Sequence, residues 1–229
     1  MMSCLAFTVT LALVLYYPRA MAQPREGKNC CLPRQWEGFQ GGIGGVEAGG
    51  EGQAVRTVSR IAFDAESRRV YAYTNSTTAK GVSSMKIIQD YNTNTMFVID
   101  VMKRTCLKSN NTLPFNNGCV PDDAKRVFDM TMGAGSETLQ VKIFAMRLEQ
   151  VKTLLDINFS VTEKQCVPVG ENWTGSLNDN KIAMSFGYFG ITPGIKDPSV
   201  FTPPAFCKQN TTSEVPAFHP ILNYKILGV

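Results

Sequence analysis

The sequence predicts an all-β protein, a large antiparallel sandwich or open barrel, and three observations carry that prediction. Short runs of β-branched and aromatic residues recur from Val55 onward, punctuated by Asn, Asp, Gly and Ser. Several of these runs alternate apolar and polar residues with the period of a half-buried strand. Helical periodicity is scarce, and Asp122–Met130 is the one stretch that suggests a short helix. With 229 residues, 44% hydrophobic and 18% charged, the chain is neither disordered nor fibrous.

Residues 1–22 look like a cleaved signal peptide. Leu5–Tyr17 is uncharged, yet shorter than the roughly 20 residues that span a bilayer as a helix. Ala20-Met21-Ala22 then supplies a small-x-small cleavage pattern. The mature chain is expected to run as one domain from Gln23 to Val229. Beyond Trp36–Gln40 lies a glycine-dense stretch, Gly41–Gly52, which matches no phosphate-loop spacing and has no Lys or Arg. A flexible connection between strands is expected there.

Val55–Phe63 and Arg69–Thr74 flank the polar residues 64–68 and predict a hairpin. Ser84–Tyr91 and Thr95–Met102 flank Asn92-Thr93-Asn94 and predict a second. Met96-Phe97-Val98-Ile99 is apolar on both faces, as in a strand covered on both sides. Further on, Leu139, Val141 and Ile143 share one face, opposite Gln140 and Lys142. Leu155, Ile157, Phe159 and Val161 point one way while Asp156, Asn158, Ser160 and Thr162 point the other. Ile182, Met184, Phe186 and Tyr188 form a similar stripe backed by Ala183, Ser185 and Gly187. Pro193–Pro204 is too rich in proline for a central strand and is expected to wrap the surface until Cys207 anchors it.

Cysteine usage points to an oxidising compartment. Cys4 leaves with the signal peptide, and Cys30, Cys31, Cys106, Cys119, Cys166 and Cys207 are expected to form three disulfides. Spacing does not choose among the pairings, although the adjacent Cys30 and Cys31 should reach different partners. The N-x-S/T pattern for N-glycosylation occurs at Asn75, Asn110, Asn158, Asn172 and Asn210. Asn158 falls on the polar face of its strand, as a glycan-bearing residue must.

The net charge of +4 comes without a basic block, which argues against nucleic acid as a partner. The single histidine, His219, has no Ser or Cys motif beside it, and no G-x-S-x-G elbow occurs. Asp122-Asp123 fits a solvated turn better than a catalytic pair. No catalytic residue is therefore expected. Asn178-Asp179-Asn180 has the composition but not the spacing of a calcium loop. Methionines are abundant on the strands (Met85, Met96, Met102, Met130, Met132, Met146 and Met184), beside Phe97, Phe144, Phe159, Phe186 and Tyr188. Such pliable apolar side chains suit either a core or a cavity that accepts lipid tails.

Particular strings separate these readings: Cys31-Leu32-Pro33, Gln35-Trp36-Glu37-Gly38, Met96-Phe97-Val98-Ile99-Asp100, Cys106, Cys166-Val167-Pro168-Val169, and the segment Gly194–Pro204 leading to Cys207. Together they resemble the ependymin-related family, in particular its vertebrate lysosomal and secreted members. The resemblance implies two stacked, curved antiparallel sheets enclosing a deep apolar pocket, similar to bacterial periplasmic lipoprotein carriers. It implies non-catalytic binding of fatty acids, anionic phospholipids or gangliosides, contact with anionic membranes, N-glycosylation, a homodimer, and secretion or a lysosomal location. Calcium is the one cofactor it suggests, and a calcium-associated adhesion glycoprotein is the rival class. The ligand-facing residues would be Met96, Val98, Leu139, Val141, Ile143, Leu155, Ile157, Phe159, Ile182, Met184, Phe186 and Tyr188. The family pattern implies the disulfides Cys106–Cys207 and Cys31–Cys166, leaving Cys30–Cys119, with exchange of Cys30 and Cys31 as the alternative.

Overall fold

A computed structural model describes residues 30–111, 114–177 and 179–208. The leader at residues 1–22, the acceptor Asn210 and His219 lie outside the described residues. Eleven strands follow one another: β1 (Gln35–Ala48), β2 (Glu51–Asp64), β3 (Arg69–Thr78), β4 (Gly81–Asp90), β5 (Thr95–Asp100), β6 (Thr105–Asn110), β7 (Lys125–Ala134), β8 (Glu137–Gln150), β9 (Thr153–Thr162), β10 (Pro168–Leu177) and β11 (Asn180–Pro193). Two 3-10 turns, Pro198–Phe201 and Ala205–Lys208, complete the described chain.

The strands form one open antiparallel sheet in the order β6-β5-β4-β3-β2-β1-β11-β10-β9-β8-β7. The all-β antiparallel architecture is as expected, and its two layers are the wings of this single sheet. The sheet curls. β2 and β8 stand five places apart, about 24 Å across a flat sheet. Yet Arg68, in the turn after β2, and Met146–Glu149 of β8 border the same cavity. Consecutive strands joined by tight turns explain the order within each wing, and the pairing of β1 with β11 welds the wings together.

Both predicted hairpins form, as β2–β3 and β4–β5. Val98 and Ile99 are both fully buried, consistent with a strand covered on both faces. Two expectations are corrected. Asp122–Met130 is not helical: Lys125–Ala134 is edge strand β7, with Phe128, Met130 and Met132 opposite Ile143, Val141 and Leu139. Pairing with β8 outweighs the weak local helical pattern. The glycine-dense stretch is not a loose connection either, since Gly41–Ala48 belong to β1, Gly49 and Gly50 turn at positive φ, and β2 begins at Glu51. The reason lies across the strand. A Cβ on Gly42 would sit 2.6 Å from the Phe186 ring, and one on Gly44 2.7 Å from Met184 Sδ, so large β11 side chains occupy the space glycine leaves.

One face of the sheet, the inner face, carries the main core. Trp36, Phe63, Leu155, Ile157, Phe159, Trp173, Leu177 and Met184 are among its buried members. Truncating one such aromatic to Ala costs about 3–5 kcal/mol. The outer face of β2–β6 has a smaller cluster in which Ala62, Tyr71, Ile88 and Ile99 lie beneath Phe201 and Cys207. The proline-rich strap thus covers apolar surface as well as crossing it. Lys196 N donates to buried Glu37 Oε1 at 2.9 Å, Gly194 N donates to Gln35 O at 2.9 Å, and the Arg69 guanidinium lies 4.4 Å over the Phe201 ring.

The disulfides are Cys106–Cys207, Cys30–Cys166 and Cys31–Cys119. The first agrees with the resemblance, and the other two correct it by exchanging Cys30 and Cys31. Backbone pairing is the cause. Leu32 N donates to Gly118 O and Val120 N to Cys30 O, which sets Cys31 directly opposite Cys119. Alternation along an extended chain turns Cys30 to the other side, towards Cys166 in the β9–β10 turn. The described glycosylation acceptors Asn75, Asn110, Asn158 and Asn172 are all exposed. By the strand registers all four lie on the outer face.

Candidate functional site

Cross-strand register divides the residues put forward as ligand-facing into three groups. Leu155, Ile157, Phe159, Ile182, Met184 and Phe186 lie on the inner face within the main core, and Tyr188 packs against it. Met96 and Val98 share that face at the far wing, in small clusters with Ala72, Ile87, Met85 and Leu107. Leu139, Val141 and Ile143 are corrected to the outer face. Ile143 pairs with Ser160 and Phe144 with Phe159, so the inner residues of β8 are Phe144, Met146 and Leu148. The apolar stripe changes side between adjacent Ile143 and Phe144. The alternation Phe144, Met146, Leu148 carries the signal for the inner stripe, and the stronger-looking stripe before it masks that signal.

A cavity of about 770 Å³ opens between the loop after β6 and strand β8. Its apolar lining includes Phe115, Val120, Met146 and Leu148. Met146 and Leu148 continue the inner face, so the cavity adjoins the core's apolar surface. None of the twelve proposed ligand-facing residues lines it. The loop is held by an aromatic stack: Phe115 lies 5.9 Å from Phe63 and 5.0 Å from Tyr91, with the Arg68 guanidinium 5.3 Å over its ring. Burial raises the Tyr91 phenol above its ordinary range. Cys31–Cys119 fixes the loop's far end.

Charged side chains share the lining. Arg68 and Arg147 stand with Asp122, Asp123 and Glu149, and Arg147 makes a two-pronged contact with Asp156 at 2.8 and 2.9 Å. The lining mixes apolar side chains with an equal number of charged and amide ones, and the volume lies within the usual range of about 300–1,000 Å³ for a small-molecule site.

Deeper on the inner face lies Glu171, 3% exposed. Trp173 Nε1 donates to its Oε2 at 2.9 Å and Tyr188 OH to its Oε1 at 2.7 Å. Burial outweighs both hydrogen bonds and pushes its carboxyl up to about 7. A raised carboxyl is what general acid catalysis needs, but both oxygens are engaged and Glu171 does not border the cavity. Among the described residues no group of three or more His, Cys, Asp or Glu side chains is placed to hold a metal. Asp179, from the stretch considered for calcium, instead pairs with Lys152 at 3.0 Å.

Comparison with known proteins places these features among relatives. A family model described as Ependymin matches residues 79–207. Ependymin of Notemigonus crysoleucas is 26% identical over 164 residues, 69% of this chain and 72% of its own. Ependymin-related protein 1 of Haliotis asinina is 27% identical over 187 residues, 79% of this chain and 91% of its own. Mammalian ependymin-related protein 1 of Rattus norvegicus is 26% identical over 196 residues, 81% of this chain and 79% of its own. Among solved structures, a DUF1329 family protein from Desulfovibrio piger superposes with a TM-score of 0.30 at 6% identity, covering 74% of this chain and 90% of that one. An exported protein with a YmcC-like fold from Bacteroides fragilis gives 0.26 at 12%, covering 72% and 99%. Both superpositions are too loose to bear on function.

Proposed function

The chain belongs to the ependymin family, and from that premise we propose that it is a non-catalytic carrier of hydrophobic or amphipathic lipids: fatty acids, anionic phospholipids or gangliosides. The observation that carries this reading is the cavity of about 770 Å³, whose Phe115, Val120, Met146 and Leu148 adjoin the apolar inner face. Burying an acyl chain is worth about 0.8 kcal/mol per methylene, so a dozen methylenes supply roughly 10 kcal/mol before the costs of immobilisation. That supports micromolar affinity.

Three disulfides and four exposed glycosylation acceptors on one face support secretion or a lysosomal lumen as its location. Edge strand β7 supports the homodimer. All ten of its residues are exposed, with Val127, Phe128, Met130 and Met132 at 39–53%. An unpaired apolar edge of that length is the kind of surface that a second copy covers.

Native mass spectrometry of the secreted protein tests the carrier reading directly. Lipid retained on the protein and released by solvent extraction is the expected result. Protein that is always free of lipid and takes up neither fatty acid nor ganglioside would sink it, and calcium-dependent self-association in its place would favour the adhesion reading.

A further inference from the structure

The inner face is not apolar throughout. Two adjacent rungs across its centre are polar. One runs Tyr188, Gln40, Ser59, Thr74, Met85 across β11, β1, β2, β3 and β4, and the next runs Glu171, Phe186, Gly42, Thr57, Ser76 across β10, β11, β1, β2 and β3. Apolar rungs lie on either side, with Ile61 and Ala72 before and Val55 and Met184 after.

Ser59 and Thr74 satisfy each other through a 2.7 Å hydroxyl contact. Their neighbours do not. Gln40 Nε2, Thr57 Oγ1 and Ser76 Oγ are buried without a hydrogen-bond partner, on residues only 2%, 4% and 7% exposed. A buried polar atom left unpaired costs roughly 1–3 kcal/mol, and apolar residues of similar shape would avoid that cost. Gly42 contributes by its lack of a side chain. A Cβ there would press on both the Phe186 ring and the Thr57 hydroxyl, so glycine makes room for both.

The chemistry of the patch restricts what it would accept. The orphan amide nitrogen donates only, and the two hydroxyls both donate and accept. From β10 to β5 these two rungs carry no Lys or Arg, and their carboxyls are Glu171 and Asp100. A phosphate or carboxylate would find no counter-charge there and would meet a buried acid. An uncharged carbonyl flanked by hydroxyls matches the donors and acceptors present.

On the carrier reading, we propose that Gln40, Thr57 and Ser76 form a polar subsite for the uncharged junction between tail and head of an amphipathic guest, an acyl ester or amide with neighbouring hydroxyls. The patch therefore selects among amphiphiles, preferring hydroxylated neutral ones over those with no hydroxyl.

The test uses the full secreted protein and three probes: N-phenyl-1-naphthylamine as an uncharged apolar reporter, and 1-oleoylglycerol and methyl oleate as competitors. The wild type is expected to bind 1-oleoylglycerol about tenfold more tightly than methyl oleate, the worth of one or two added hydrogen bonds. The double variant T57V/S76A should bring the two lipids to parity while still binding the reporter. Its thermal midpoint should hold or rise, because hydroxyls without partners are replaced by apolar groups. Parity already in the wild type, or a preference that survives T57V/S76A, overturns the subsite but not the carrier. A large fall in thermal midpoint would show that the hydroxyls serve the fold and also overturns it. No binding of any probe would remove the carrier reading itself, and the subsite with it.

Discussion

Replacing Glu171 by Gln is expected to abolish a pH dependence of stability that the wild type shows between acidic and neutral pH. The folded carboxyl is pushed up to about 7 from an ordinary 4.5, burial being the main cause. Between those values the folded chain holds a proton that the unfolded chain has released. Stability therefore falls as pH rises through this window, being full below about 4.5 and lost above about 7. At about 1.4 kcal/mol per pH unit, the loss comes to about 3 kcal/mol, or roughly 6–12 °C in thermal midpoint for a domain of this size. Asp64 works in the opposite direction and elsewhere. Burial raises its carboxyl, but hydrogen bonds from Arg69, Gln35 and Ser67 outweigh that and hold it at about 2, so its contribution is lost only as pH falls below about 3.8. The assay is denaturation followed from pH 4 to pH 8 on wild type and E171Q. The wild type should be more stable at pH 5 than at pH 7.5, and E171Q should be nearly flat, with the higher midpoint above pH 7. A wild-type slope of opposite sign, or the same slope in E171Q, refutes the reasoning.

Other outcomes follow from the same geometry. Replacing Cys31 and Cys119 together with Ser should lower stability by roughly 4 kcal/mol, because their bridge closes a separation of 88 residues, and peptide mapping of the unreduced protein should recover Cys30 joined to Cys166. Gly42→Val should cost more than about 2 kcal/mol through collision with Phe186 and Thr57, read as a lower denaturation midpoint. Phe115→Ala should open the aromatic stack and weaken lipid uptake at least several-fold in a reporter-displacement assay. Met130→Glu on β7 should shift sedimentation from dimer to monomer while changing the folding stability of the single chain by less than about 1 kcal/mol in denaturant unfolding, since the site is 39% exposed.

Much of the architecture is legible where one strand's pattern suffices. β9 shows its buried side as Leu155, Ile157, Phe159 and Val161, β11 shows Ile182, Met184 and Phe186, and the Asn-rich turn marks the β4–β5 hairpin. Features that depend on a partner strand are not legible in this way. Gly42 and Gly44 look like a linker until Phe186 and Met184 are seen to fill the space above them. The stripe on β8 switches sides at Phe144, and only pairing with β9 reveals which half is inner. Exchange of Cys30 and Cys31 follows from a backbone bridge between segments 88 residues apart. Glu171 resembles any exposed strand acid until its register sets it between Phe159 and Phe186. The cavity is built by the loop after β6, the β2–β3 turn and strand β8 of the other wing, and no local periodicity reports such an encounter.

Asn158 and Asn172 are direct cross-strand neighbours, with Asn75 and Asn110 on the same side of the sheet. Carbohydrate added there would form a canopy over strands β3, β6, β9 and β10 on the back of the molecule and deny that part of the surface to other macromolecules. Whatever delivers cargo or takes it away would then have to approach along the rims or through the mouth beside Phe115.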